Sequence, residues 1–271
     1  MNITKWLKDN KKDITFFVGI VAAIWVISLF GTNSLVSAVT STWRWILIIM
    51  VLFIILASAL ITGNPLFGWL INEQNRMSLS RLQMFLWTIV ILSAFVTAVF
   101  ANLYFKHFET AVAIAIPNEL WLAMGISTTS LIGTGLILEN KKDKEPKKDG
   151  FRRAMRIGVL DVSNKPSLLE LIQGEEVGNK DKIDLTRLQN LFFTIVLVGS
   201  YMASLSAMFT ELATLAAKTP DILIMAEKAP ITSFPELGSS AIALLTISHA
   251  GYLAAKAIDK QPSETPDNPE E

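Results

Sequence analysis

Apolar residues in this chain do not mark one face of a helix or alternate positions of a strand; they continue without interruption for whole segments. Six such segments stand out, at about 14–30, 44–62, 82–103, 119–138, 188–210 and 237–257, and they hold Asp, Glu, Lys and Arg only near their ends. About 20 apolar helical residues cross a hydrocarbon layer of roughly 30 Å. Inside that layer the backbone must satisfy its own hydrogen bonds, which forces helix. The pattern therefore predicts an all-α, polytopic integral membrane protein with about six transmembrane helices. Lys5, Lys8, Lys11 and Lys12 precede the first segment, and Val36-Ser37-Ala38 could be read as a signal-peptidase site. The length of that apolar run and the closeness of the second favour an uncleaved first helix.

Composition agrees with the pattern. The 271 residues are 51% hydrophobic and 18% charged, with a mean hydropathy of +0.44, too apolar for an ordinary soluble domain of this length. Basic and acidic residues balance at 24 each, so no global basic field exists to recruit nucleic acid. The absence of cysteine excludes disulfides, thiolate metal sites and cysteine nucleophiles.

Charge distribution sets orientation. Basic residues fall on alternate loops: the four N-terminal lysines, Arg76 and Arg81, and the run from Lys141 to Arg156, whereas 104–118 offers only Lys106. The positive-inside rule then places both termini in the cytoplasm. The 139–187 loop begins as a lysine-rich linker, and Pro166-Ser167-Leu168-Leu169-Glu170-Leu171-Ile172 reads as a short amphipathic helix, ended by Gly174 and lying on the membrane surface. The basic run is either a solvated flank or a contact for anionic lipid. The acidic, proline-rich tail at 259–271 reads as disordered.

Arg81-Leu82-Gln83 recurs as Arg187-Leu188-Gln189, and Thr88-Ile89-Val90 recurs at the same offset as Thr194-Ile195-Val196. Ser78 matches Asp184 as the expected helix cap, Pro117 matches Pro235, and Ile126-Ser127 matches Ile247-Ser248. Polar matches in one order point to an internal duplication of a two-helix unit. The organisation read from it is two N-terminal helices within 1–70, a first copy at 75–138, the cytoplasmic loop at 139–177, a second copy at 178–258 and the tail. Each copy spans twice, so the repeats are parallel and related by an axis along the membrane normal. Spans four and six are rich in Gly, Ala, Ser and Thr, which suits close helix packing at the centre of the bundle. The first two spans then fall at the lipid-facing edge, with Trp43, Trp45 and Trp69 near the interfaces.

The motifs Gly178-Asn179-Lys180-Asp181, Asp184-Leu185-Thr186-Arg187-Leu188-Gln189 and Ile247-Ser248-His249-Ala250-Gly251-Tyr252-Leu253 resemble those of a group of uncharacterised bacterial multispanning membrane proteins. The likeness covers roughly residues 75–258 and implies a bacterial cytoplasmic membrane, with no implied catalysis. The first copy departs from the pattern at Thr128-Thr129-Ser130, where the second has His249-Ala250-Gly251.

Candidate functional residues follow from polarity inside apolar segments. Arg81 and Arg187 stand near the cytoplasmic starts of their helices, either as anchors that snorkel to headgroups or as ligands of a phosphate or carboxylate, since the helix dipole does not favour a cation there. Gln83 and Gln189 lie just inside the spans and are expected to face the bundle interior, as glue between helices or as a ring around a path. Ser127, Thr128, Thr129, Ser130 and Thr134 could line a polar path with Ser239, Ser240 and Ser248, or simply back-bond within their helices. His249 is the one ionisable group, tyrosines apart, well inside a segment, with a ligand role and a structural role equally open. No HExxH, Walker loop, GxGxxG or GxSxG elbow is present, so no enzymatic activity, metal or cofactor is expected.

These features lead to the expectation of an oligomeric channel or pore component, gated from the cytoplasmic side. The alternatives are a non-conducting scaffold whose 139–187 loop binds a cytoplasmic protein or anionic ligand, and a small-solute transporter. Membrane lipid and further copies of the chain are the expected partners.

Overall fold

The computed structural model describes residues 37–62, 68–72, 75–143, 167–174 and 182–258. The expected first span, the Val36-Ser37-Ala38 reading in part, most of the basic linker and the acidic tail lie outside the described residues. Among those described, the elements are helical: α1 (Ser37–Thr62), α2 (Leu79–Tyr104), α3 (Asn118–Asp143), α4 (Leu185–Lys218), the short α5 (Pro220–Met225) and α6 (Ser239–Ala257), with 3-10 turns at Gly68–Leu70 and Leu168–Leu171.

Among the described residues, three helices are long and apolar enough to cross a membrane: Leu79–Tyr104, Asn118–Ile137 and Leu185–Lys218. In α1 the apolar stretch among described side chains is the shorter Thr42–Ile55. α6 has 19 residues, but Ser239, Ser240, His249 and Lys256 dilute its apolar content. α4, at 34 residues and about 1.5 Å of rise each, is longer than a hydrocarbon layer is thick.

Contacts divide the chain into two compact units. The first comprises Met1–Trp69, Phe85–Met124 and Val196–Ser239; the second comprises Leu70–Met84, Gly125–Ile195 and Ser240–Glu271. Their interiors differ in kind. In the first, the buried side chains are mainly apolar and aromatic: Trp43, Trp87, Tyr201, Leu205 and Phe209 with Ala94, Ala98 and Ala101. Trp43 packs on Phe209 at 5.6 Å and Trp87 on Tyr201 at 6.1 Å between ring centroids. Trp43 also donates to Ser93 Oγ at 3.1 Å. It is thus buried within the protein, and its indole N–H is satisfied by a hydroxyl on α2. Trp45 is exposed, and Trp69 meets Phe85 edge to face.

Two loops of the first unit are joined through Asn102, which is wholly buried on α2. Its Nδ2 donates to Ala111 O (3.2 Å) and Ile231 O (2.9 Å), and its Oδ1 accepts from Ile231 N (3.0 Å). Beside it, Ala115 and Ser233 form a parallel bridge, with Ala115 N donating to Thr232 O and Phe234 N to Ala115 O. Each bridge residue stands two positions ahead of a proline, Pro117 or Pro235. α2 ends in a Schellman arrangement: His107 N donates to Asn102 O and Lys106 N to Leu103 O, with Lys106 at φ 65°.

Asn102→Leu should lower stability by about 2–4 kcal/mol, because it strands a buried N–H and two carbonyls. Lys106→Gly should raise it by about 0.5–1 kcal/mol, because only glycine adopts that backbone without steric cost. Thermal unfolding of the purified protein in detergent checks both signs.

Candidate functional site

The second unit has a polar interior. Its buried side chains include Ser80, Gln83, Ser127, Ser130, Thr134, Arg187, Asn190, Thr194, Ser248 and His249, against few apolar ones, chiefly Leu70, Met77, Leu79, Leu171, Leu245 and Tyr252. Two layers can be distinguished, the helix starts and the network among the helices.

At the helix starts the local sequences dictate closely similar geometry. Ser78 Oγ accepts from Arg81 N (3.4 Å), and Asp184 Oδ1 accepts from Thr186 N (3.0 Å) and Arg187 N (3.4 Å), so both expected caps are in place. Each cap's own N–H donates back to a preceding turn, Ser78 to Leu70 O and Asp184 to Ile172 O. An isolated antiparallel bridge closes each approach, Ile71 with Met77 and Gln173 with Ile183. The arginine of each helix then binds the turn: Arg81 donates to Ile71 O at 2.6 Å, while buried Arg187 donates through Nε to Leu171 O (3.1 Å) and through an Nη to Glu170 O (2.9 Å). These bonds hold the two guanidinium groups against protein backbone. The two turns are themselves connected, since buried Glu170 accepts from Met77 N at 2.8 Å.

That arrangement corrects the reading of Pro166–Ile172 as a surface helix. Its described part is a four-residue 3-10 turn, capped by Ser167, whose Glu170 and Leu171 are buried. A turn of this length cannot satisfy its own carbonyls, and Arg187 does so instead.

Deeper in, Gln83 Nε2 donates to Asn190 Oδ1 (2.9 Å) and Thr194 Oγ1 (2.8 Å), Thr194 donates to Asn190 O (2.8 Å), and Ser248 donates to Asn190 Oδ1 (3.0 Å). Ser80 and Ser130 pair nearby at 3.4 Å. The network links α2, α4 and α6. Gln83 Oε1, Asn190 Nδ2, Thr134 Oγ1 and both ring nitrogens of His249 are buried without a protein partner. Among the described residues no group of three or more His, Asp or Glu could hold a metal ion.

Of the residues singled out from sequence, Gln83 and Ser248 meet through Asn190. Gln189 does not join them; it is exposed, because the buried face of α4 carries Arg187, Asn190 and Thr194 and leaves Gln189 on the outer side. Thr128, Thr129, Ser239 and Ser240 are exposed too, whereas Ser127 and Ser130, three apart on α3, are buried. Sequence reasoning missed Asn190, although an amide inside an apolar segment is the same signal that marked Gln83. In the repeat read from sequence, Asn190 aligns with Met84, so the matching polar positions do not mark it. Glu170 was likewise missed, hidden in a turn that read as amphipathic.

Arg187→Ala should cost about 2–4 kcal/mol, since it strands two carbonyls of a buried turn, whereas Arg81→Ala, with one bond from a half-buried side chain, should cost about 1 kcal/mol. Equal losses in thermal unfolding would contradict the assignment of Arg187 as the more deeply committed of the pair. Compared with known proteins, the chain matches no family model, no curated protein and no solved structure.

Proposed function

We propose that this protein is a subunit of an oligomeric membrane channel whose hydrogen-bonding path lies among the helices of a duplicated two-helix unit. The observation that carries the reading is the polar interior of the second unit, with buried donors and acceptors left over at Gln83, Asn190, Thr134 and His249. Polar groups that bond fully across a membrane bundle serve as glue between its helices, but donors and acceptors left over add nothing to that, and a path for a polar solute gives them a use. Alternating basic loops put both termini and the starts of α2 and α4 on the cytoplasmic side of a bacterial inner membrane, with the 14–30 and 237–257 segments completing six spans. Arg81, Arg187 and Glu170 brace the cytoplasmic entrance at those helix starts.

Duplication is supported by the recurring set of cap, turn, bridge and arginine bonds ahead of α2 and α4. It is supported again by the pairing of Ala115 with Ser233, which hold the same place relative to Pro117 and Pro235. A parallel pairing of equivalent positions is what a two-fold axis running along the strands would produce, in keeping with repeats related about the membrane normal.

Oligomerisation is supported by exposed small and hydroxylated residues on α4 within the first unit, Ser200, Ala203, Ser204 and Ala207, with open space beside Gly199. Such a face lets helices of neighbouring copies approach closely.

Purified protein in liposomes should raise the permeability to at least one of water, urea, potassium or chloride above that of protein-free vesicles. Asn190→Ala should change that flux by about tenfold, the factor that goes with one hydrogen bond of ordinary strength. Thr246→Ala, on the exposed side of α6, should leave it unchanged. Permeability equal to that of empty vesicles for all four would end the channel reading.

A further inference from the structure

The network at Gln83 and Asn190 does not close on itself. Gln83 Nε2 spends both hydrogens, on Asn190 Oδ1 and Thr194 Oγ1, and Asn190 Oδ1 takes a second hydrogen from Ser248. Thr194 spends its own hydrogen on Asn190 O. What remains is one acceptor, Gln83 Oε1, and one donor group, Asn190 Nδ2, on two residues that are 0% exposed. Turning both amides through half a rotation exchanges the atoms and again leaves one donor and one acceptor over. Because the two amides share a single 2.9 Å bond, the leftover atoms stand no more than about 7 Å apart, a gap that one small amide or alcohol, or a short file of waters, can bridge.

We propose that Gln83 Oε1 and Asn190 Nδ2 form a binding site for a small uncharged solute carrying both a hydrogen-bond donor and an acceptor, of the size of water, a simple amide or a short alcohol. In naming that solute as the permeant, the inference rests on the channel reading. The site is matched against ions on both sides. A cation requires several oxygens converging on one point, and here Asn190 presents hydrogens beside the lone Gln83 oxygen. An anion requires several donors or a positive charge, and Arg187 is engaged with Leu171 O and Glu170 O while Gln83 presents an oxygen. A neutral solute with one function of each kind satisfies both atoms and brings no charge into the bundle.

The test uses the full chain in liposomes, with water and urea permeability followed by light scattering after an osmotic step, and potassium and chloride leak measured on the same vesicles. The expected result is water or urea permeability above protein-free vesicles with no ion leak. It should fall about tenfold in Asn190→Leu and again in Gln83→Leu/Asn190→Leu. Because these variants can lose their fold, a second measurement is made on wild type: solid-state NMR of asparagine-labelled protein, which should show magnetisation passing from water to the Asn190 side-chain amide. Ion leak through wild type would leave the channel reading standing and overturn the neutral-solute site. No flux of any kind, with contact between water and the Asn190 amide, would remove the channel and keep the site. Absence of that contact overturns the site whatever the fluxes are.

Discussion

A hydrogen-bonding group drawn into a helical bundle that is surrounded by hydrocarbon must find its partner within the protein, and the second unit of this chain is organised around that requirement. In water, moving an apolar side chain inward gains free energy; in lipid the surroundings are as apolar as the interior, and the gain shrinks to the quality of packing. The first unit relies more on packing, with aromatic rings set against one another and Ala94, Ala98 and Ala101 letting α2 approach its neighbours, beside a few buried bonds such as those of Asn102. The second unit instead holds its helices together by directional bonds. Each of these is costly to break, because hydrocarbon offers a stranded amide or guanidinium nothing in exchange.

The arginines at the helix starts illustrate the difference this makes. A cation beside a helix N-terminus opposes the dipole, so a purely electrostatic account would find Arg81 and Arg187 misplaced. Their positions make sense once the turns ahead of the helices are considered. Those turns leave backbone carbonyls facing inward, and a guanidinium carries several donors in a fixed fork that can reach them from one turn into the following helix. Arg187 satisfies two such carbonyls and Arg81 one. Glu170 performs the opposite service for the first turn by accepting the N–H of Met77. Charged side chains here act as extensions of the backbone hydrogen-bond system, which offsets the cost of burying Arg187 and Glu170.

Sequence alone carried the helical class and the location of the main helices. The segments expected at 82–103, 119–138 and 188–210 lie within Leu79–Tyr104, Asn118–Asp143 and Leu185–Lys218, and the caps Ser78 and Asp184 were readable because a capping side chain immediately precedes an apolar run. The ends were less legible. α4 continues to Lys218 through Glu211 and Thr214, since a helix does not stop where its apolar content does. Facing was less legible still. Consecutive residues on a helix point about 100° apart, so that Gln189 and Asn190 differ completely in burial although either could have been the interior amide. Trp43 shows the same limit: nothing in its apolar run says that its ring turns inward, onto Phe209 and with Ser93 as the acceptor of its N–H.

Under the duplication proposed above, the polar network is assembled from positions that do not correspond. Gln83 is buried and its counterpart Gln189 is exposed; Asn190 is buried and its counterpart is Met84; Thr194 is buried and Thr88 is exposed; His249 stands where the first copy has exposed Thr128. A symmetric ring of equivalent residues, the simplest way for a repeat to line a path, is therefore not how these side chains meet. Met84 at the position equivalent to Asn190 also means that the helix pattern itself does not demand an amide there. Through Oδ1 the Asn190 amide ties α2 and α6 to α4, but its Nδ2 is left with its hydrogens unspent, so holding the helices together uses only half of the group. The solute site proposed above gives the unspent donor of Asn190 and the unspent acceptor of Gln83 a use, and it needs only one copy to carry them.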